Sequence, residues 1–253
     1  MRTTERDVYI RECKKEYMQL LSLISFPEFK LRYTESSPAE NANNIFVIKG
    51  AATYDCATGQ HCLELDADIH TKGNIGKQTV FHEFTHILDN EKFARKDHQR
   101  YIANFGYSEY HAAQIGFLKA LNIVRIDQEI VFSMGDLIDT PSGNISIRDY
   151  VLEPLLLATY AIRQSDFPRD FDELRETLGL IFNYYGKRSI CKMYANDYDD
   201  IADKDAIEKL LTPAKVRFLN NHLVGWLDEN SVADIDKVFC DTFINLFSHY
   251  NFI

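Results

Sequence analysis

The sequence predicts an α+β fold that is predominantly helical, with a small β-sheet in the N-terminal lobe and a helical C-terminal lobe. Apolar residues recur at helical spacing in most segments. Two short segments between residues 44 and 67 have strand patterns instead. The chain has 253 residues, 45% of them hydrophobic, which is enough for a full core. We expect one continuous globular unit with two lobes, residues 1–125 and 126–253.

The N-terminal lobe begins with a helix and two strands. Residues 1–24 mix charged with apolar residues, which predicts an amphipathic helix and not a secretory signal. Residues 44–50 form one short β-rich run, and residues 60–67 form a second one after a turn at 57–59. The alternation in the second run places Leu63, Leu65 and Ala67 toward the core and Cys62, Glu64 and Asp66 outward. His61 and His70 lack metal-ligand spacing and are expected at the surface.

The next element is a helix with one apolar side. Its core-facing arc consists of Val80, Phe81, Phe84, Ile87 and Leu88. Gly73 and Asn74 supply a turn and an N-cap, and residues 90–92 end the apolar repeat. The opposite side of the helical wheel carries His82, His86 and Asp89.

This helix carries the pattern His-Glu-x-x-His, the signature of zinc hydrolases. A spacing of four residues turns His86 only about 40° from His82, so both rings can bind one ion. Glu83 lies about 100° away and can hold a water molecule. Zinc with three protein ligands lowers the pKa of a water toward about 7, and a neighbouring carboxylate can accept its proton. The sequence therefore predicts a Zn²⁺ site with Glu83 as general base. The alternative is a buried helix whose histidines only form hydrogen bonds.

A third ligand must come from further along the chain. The metzincin pattern requires glycine and histidine where this sequence has Asp89 and Lys92, so it does not apply. In the gluzincin pattern a following helix supplies a glutamate, and Glu109 fits that role. The small residues Ala112, Ala113 and Gly116 would let this helix approach the histidine helix closely. His111 is the rival ligand, and its offset of two residues excludes it from the face of Glu109.

Two further roles remain open at this point. Asp89 either orients a ligating histidine through its second ring nitrogen or is a solvated carboxylate at the helix end. Tyr107, Tyr184 and Tyr185 are candidate donors to a developing oxyanion, although tyrosines at helical spacing are more often core residues.

The run from His82 to Asp89, followed by Glu109-Tyr110-His111-Ala112, resembles the compact gluzincin metallopeptidases of the ImmA/IrrE type and of phages and mobile elements. The resemblance covers about residues 44–122, and Thr85 stands where that family usually has a smaller residue. It implies a zincin-like catalytic lobe in which His82, His86 and Glu109 bind zinc and Glu83 is the general base. It also implies Ala112 at the helix contact. A sheet edge in that fold pairs with an extended substrate, which makes residues 60–67 a candidate for this strand; an ordinary surface hairpin is the equal alternative.

The C-terminal lobe is expected to contain about five helices. Residues 135–143 have turn chemistry, and Asp197-Tyr198-Asp199-Asp200 reads as a solvated acidic loop and not as a calcium loop. The helical segments lie after residue 147 and at 171–185, 206–211, 213–227 and 232–247.

Composition excludes several classes of protein. The five cysteines are scattered and contain no C-x-x-C pair, which argues against a disulfide framework and favours the reducing cytoplasm. The net charge of -10, without a basic stripe, argues against direct nucleic-acid binding. No segment approaches the length of about 20 apolar residues that spans a bilayer.

The function that these observations predict is that of a zinc endopeptidase acting on a protein or peptide substrate. A second hypothesis is a non-catalytic zinc-binding regulator that recognises a peptide without cutting it. A third is a helical interaction protein with an accidental motif. The sequence leaves the substrate and the oligomeric state open.

Overall fold

The computed structural model describes residues 4–35, 50–141, 143–200 and 205–250. The described chain is α+β and predominantly helical, as predicted. In the N-terminal half the elements are α1 Glu5–Leu20, β1 Phe29–Thr34, β2 Gly50–Asp55, β3 Gln60–Asp66, α2 Gly73–Asp89, α3 His98–Ala103 and α4 Phe105–Ala120. In the C-terminal half they are β4 Leu137–Thr140, β5 Gly143–Ser146, α5 Ile147–Ile162, α6 Phe171–Tyr194, α7 Asp205–Leu211, α8 Pro213–His222 and α9 Glu229–His249.

The described residues belong to two compact units. The first contains those of Met1–Tyr101, Ile115–Ile130 and Ile138–Asn144, and the second those of Ile102–Gln114, Val131–Leu137 and Ile145–Ile253. The boundary between Gln114 and Ile115 falls inside helix α4.

The sheet of the first unit has the strand order β1-β3-β2, with β1 parallel and β2 antiparallel to β3. β3 is therefore the central strand and has no open edge. The expectation that this strand could pair with a peptide is wrong, because β1 and β2 occupy both of its edges. The alternative, a surface hairpin, is correct for the hairpin, which has Gly59 at φ +74° in its turn, but β3 is buried and does not lie at the surface. Most of the predicted first strand, residues 44–49, lies outside the described residues.

Strand β3 is more deeply buried than its alternation suggests. Leu63 and Leu65 face the core, as predicted. Asp66 was expected to point outward but is buried, and its carboxylate pairs with Lys72 at 3.1 Å. His61 was expected at the surface but is buried, because its ring packs against that of Tyr54, with centroids 4.7 Å apart. His70 is half-buried.

The core of the first unit lies where α1 and the sheet pack on α2. The Tyr17 ring makes edge-to-face contacts with Phe26, Phe81 and Phe84, with centroids 5.4–5.5 Å apart. Burial of four large aromatic rings contributes several kcal/mol on the scale of about 1.5–3 kcal/mol per side chain. This contact fixes the apolar face of α2 and thereby its orientation.

The predicted helices of the C-terminal half are confirmed, with three differences in detail. The helix predicted at 171–185 continues to Tyr194. The segment predicted to be helical at 213–227 ends at His222, because Leu223 has a ψ of 70°, outside the helical range, and Gly225, with a φ of +77°, does not resume the helix. The segment predicted as turn contains the short hairpin β4-β5. Within the described ranges, no helix is both long enough and apolar enough to cross a bilayer.

Candidate metal centre

Helix α2 presents its histidines on the side away from the aromatic core. Val80, Phe84 and Ile87 are completely buried, whereas His82 and His86 are half-buried. This division follows the predicted apolar arc. Asn74, predicted as the N-cap, lies inside the first turn instead, and its side-chain amide donates to the carbonyl of Lys119 at the end of α4.

The three predicted ligands come together. His82 and His86 Nε2 atoms lie 3.1 Å apart. One ligand atom from each of His82, His86 and Glu109 lies within 4.8 Å of the other two, and the group can hold a metal ion. Two imidazoles and one carboxylate form the donor set of catalytic zinc sites with an open fourth position. Among the described residues, no other group of three or more His, Cys, Asp and Glu side chains comes together as closely.

Two residues of α6 lie next to the carboxylate of Glu109. Asn183 Nδ2 donates a hydrogen bond of 3.0 Å to Glu109 Oε2. One turn earlier lies Gly179, where a methyl group would sit 3.6 Å from Glu109 Cδ. The carboxylate therefore rests against the glycine and is held by the amide.

Helix α4 makes close contacts through its small residues, but with two different helices. A methyl group at Gly116 would lie 3.6 Å from the Gln78 carbonyl oxygen and 3.8 Å from His82 Cβ, so this glycine packs on α2 as predicted. Ala113, in contrast, faces α6, where its Cβ lies 2.8 Å from the position of a methyl group on Gly186. The small residues thus serve both contacts and not the histidine helix alone.

His111, the rival ligand, is not part of the cluster. Its ring stacks on Tyr107, with centroids 5.5 Å apart, and meets the edge of Trp226 at 6.2 Å. The cause is helical geometry, because residues two apart on a helix point in nearly opposite directions.

Glu83 is buried, with 7% of its surface exposed, and lies under the sheet. A methyl group at Gly50, the first residue of β2, would lie 3.1 Å from Glu83 Cγ and 2.9 Å from Leu65 Cδ2. Such distances are shorter than ordinary carbon contacts. The absence of a side chain at position 50 thus permits β2 to lie directly against the proposed general base.

The side of α2 that faces α1 contains a polar contact that sequence reasoning missed. Tyr17 Oη donates to Thr85 Oγ1 at 3.1 Å, and Thr85 Oγ1 donates to the Phe81 carbonyl at 2.9 Å. Burial raises the pKa of Tyr17, so its hydroxyl stays protonated and remains a donor. Thr85, which stands where the similar family usually has a smaller residue, therefore has a hydrogen-bond partner in Tyr17 of α1.

Asp89 is 2% exposed, which contradicts its interpretation as a solvated carboxylate. Its role as an orienter of a histidine remains a prediction. Of the candidate oxyanion donors, Tyr184 and Tyr185 are buried in α6 with their rings 5.4 Å apart, and Tyr107 is buried against His111. Burial raises the pKa of Tyr184 and Tyr185, as is typical of core tyrosines.

Sequence reasoning also missed Asn183, Gly179 and Gly50. Asn183 is 74 residues from Glu109 along the chain, and a single asparagine in a helix carries no motif.

Comparison of the chain with protein-family models, curated proteins and solved structures gives no match.

Proposed function

We propose that this protein is a zinc-dependent endopeptidase with its metal site at His82, His86 and Glu109. The observation that carries the proposal is that Glu109 of α4 lies beside the two histidines of α2, with one ligand atom of each residue within 4.8 Å of the other two. Their chemistry fits zinc, because imidazole nitrogen and carboxylate oxygen are its usual ligands in hydrolases. We further propose that the first unit has a zincin-like organisation.

The roles of the protein's own residues follow from this arrangement. When bound, zinc lowers the pKa of a coordinated water toward about 7 and polarises a carbonyl group. Glu83 follows His82 directly in the chain and accepts the proton of the attacking water, then delivers it to the departing amine. The burial of Glu83 excludes bulk water and strengthens its electrostatic interactions.

The substrate that we propose is a protein segment in extended form. β2 is paired only with β3 among the described residues, so its second edge offers backbone groups to a peptide. Gly50 places this strand directly against Glu83.

The five cysteines are free, which supports the proposal that the protein works in a reducing compartment such as the cytoplasm.

The metal site is tested by measuring the zinc content of untagged protein, purified without chelator, by mass spectrometry. We expect about one zinc per chain in the wild type and in His111→Ala, and loss of zinc in His86→Ala and Glu109→Ala. No zinc in the wild type after the metal is supplied would overturn the proposal. Loss of zinc in His111→Ala with retention in Glu109→Ala would show that His111, and not Glu109, is the third ligand.

Catalysis is tested on a proteome-derived peptide library, with new N-termini identified by mass spectrometry. Glu83→Gln should retain zinc and lose cleavage, because the amide cannot accept the proton. Glu64→Gln, at a half-buried glutamate on β3, is the matched control and should cleave like the wild type. Cleavage by Glu83→Gln at the wild-type rate would remove Glu83 from the mechanism. Zinc binding without cleavage that depends on Glu83 would favour the non-catalytic regulator.

A further inference from the structure

The hydrogen bond between Asn183 and Glu109 links the proposed ligand to a long helix. Asn183 lies in the interior of α6, which has 24 residues, and its neighbours Phe182 and Tyr184 are buried. Its own side chain is half-buried and donates from Nδ2 to Glu109 Oε2 at 3.0 Å. An ionised carboxylate can only accept, so the amide must present its NH₂ group to it.

We infer that Asn183 is a positioning residue that holds the Glu109 carboxylate in the orientation for metal binding. This inference rests on the proposed metal site. A free glutamate side chain loses up to about 2 kcal/mol of rotamer entropy when it is fixed, and a ligand fixed in advance avoids this cost at the moment of binding. Carboxylates that bind metal ions are commonly held by such hydrogen bonds.

The chemical nature of the donor matters as much as its position. An amide carries no net charge, so it fixes the carboxylate without neutralising it as lysine or arginine would. Each carboxylate offers about four lone-pair positions, of which the amide occupies one. The negative charge and the remaining acceptor positions of Glu109 thus stay available for a cation.

Gly179 also contacts the Glu109 carboxylate, from the same face of α6 as Asn183. It precedes Asn183 by four residues, a spacing that places both on one side of the helix. A methyl group at position 179 would meet Glu109 Oε1 at 3.7 Å and Cδ at 3.6 Å. The same face of α6 therefore restricts the movement of the Glu109 carboxylate in two ways: Gly179 packs against it, and Asn183 donates a hydrogen bond to it.

The test is the zinc affinity of Asn183→Ala and Asn183→Leu, measured by competition with a chromophoric chelator. Both variants should bind zinc about 10- to 100-fold more weakly than the wild type, the usual effect of losing a partner of a metal ligand. Asn183→Leu keeps the approximate size of the side chain and adds no charge, so it remains informative if the alanine variant fails to fold. Asn220→Ala, at a half-buried asparagine on α8 in the same unit, is the control and should keep the wild-type affinity.

A second readout separates positioning from general stability. At saturating cobalt(II), the visible absorption spectrum of Asn183→Ala should differ from that of the wild type, because the ligand orientation differs. Equal affinity and an identical cobalt spectrum would overturn the role of Asn183 while leaving the metal site in place. Equal loss of affinity in Asn220→Ala would also overturn it, as an effect of stability alone. A wild-type protein that binds no zinc would instead overturn the proposed function, and with it this inference.

Discussion

The same substitution, glycine to alanine, should have opposite effects on stability at Gly116, inside helix α4, and at Gly186, on the part of α6 that packs against α4. Gly116 and Gly186 both lie in helices with ordinary helical backbone angles, so alanine should favour each helix by about 1 kcal/mol. At Gly116 the new methyl group finds its nearest neighbours at 3.6 and 3.8 Å, which is ordinary contact. Gly116→Ala should therefore raise the free energy of unfolding by up to about 1 kcal/mol.

At Gly186 the new methyl group would lie 2.2 Å from the carbonyl oxygen of Tyr110 and 2.8 Å from Ala113 Cβ. The oxygen belongs to the backbone of α4 and cannot turn aside, so the two helices must separate. Overpacking of this kind costs about 1–3 kcal/mol, and we take the upper end because a backbone atom is involved. After the gain of about 1 kcal/mol in helix propensity, Gly186→Ala should lower the free energy of unfolding by about 2 kcal/mol.

The assay is denaturation in urea of both variants beside the wild type, with zinc affinity measured on the same samples. The two variants should differ by about 3 kcal/mol in the free energy of unfolding. Gly186→Ala should also weaken zinc binding, since Tyr110 adjoins Glu109 in the chain. A Gly186→Ala variant as stable as Gly116→Ala would refute the close packing of α4 on α6.

Two further predictions concern the half-buried Lys187 and the buried Tyr17. Desolvation lowers the pKa of Lys187 to about 8, and its ammonium group packs on Tyr150. Between pH 8 and 9.5 the unfolded chain keeps this proton while the folded protein loses it, so the contribution of Lys187 to stability should rise with pH in that window. Buried Cys13 and Cys191, whose pKa is raised, act in the opposite direction in both the wild type and the variant. The free energy of unfolding of the wild type minus that of Lys187→Met should therefore rise with pH in urea denaturation series, and a difference that does not change with pH would contradict the assignment. Tyr17→Phe deletes the donor to Thr85, so it should lower the free energy of unfolding by about 1 kcal/mol without changing zinc content; unchanged stability would show that this hydrogen bond contributes nothing.

Helical periodicity made the histidine helix predictable in detail. The apolar arc of α2 identifies its buried face, and the four-residue spacing places both histidines on the other side, because the helix repeat is the same in every protein. These features are local, so neighbouring residues suffice to infer them. The same geometry puts Glu109 and His111 on different faces of their helix, but only the tertiary structure shows that Glu109 is the one that joins the histidines.

Strand order could not be inferred in this way. The alternation of β3 shows which residues face inward, but not that β1 and β2 pair on both of its sides, because pairing partners lie far apart in sequence. The burial of His61 and Asp66 has the same origin. Each became buried through contacts with Tyr54 and Lys72, which no pattern within β3 reveals.

The sequence by itself determined the predominantly helical α+β class, the helix that carries His82 and His86, and the chemistry of a candidate zinc site. Only the tertiary structure shows that Glu109 lies beside the two histidines, that Asn183 hydrogen-bonds its carboxylate and that Gly50 packs against Glu83. The physical reason is the range of the interactions involved. Backbone hydrogen bonds within a helix repeat over a few residues, whereas side-chain packing joins residues that are distant in the chain and depends on the volume and shape of every neighbour.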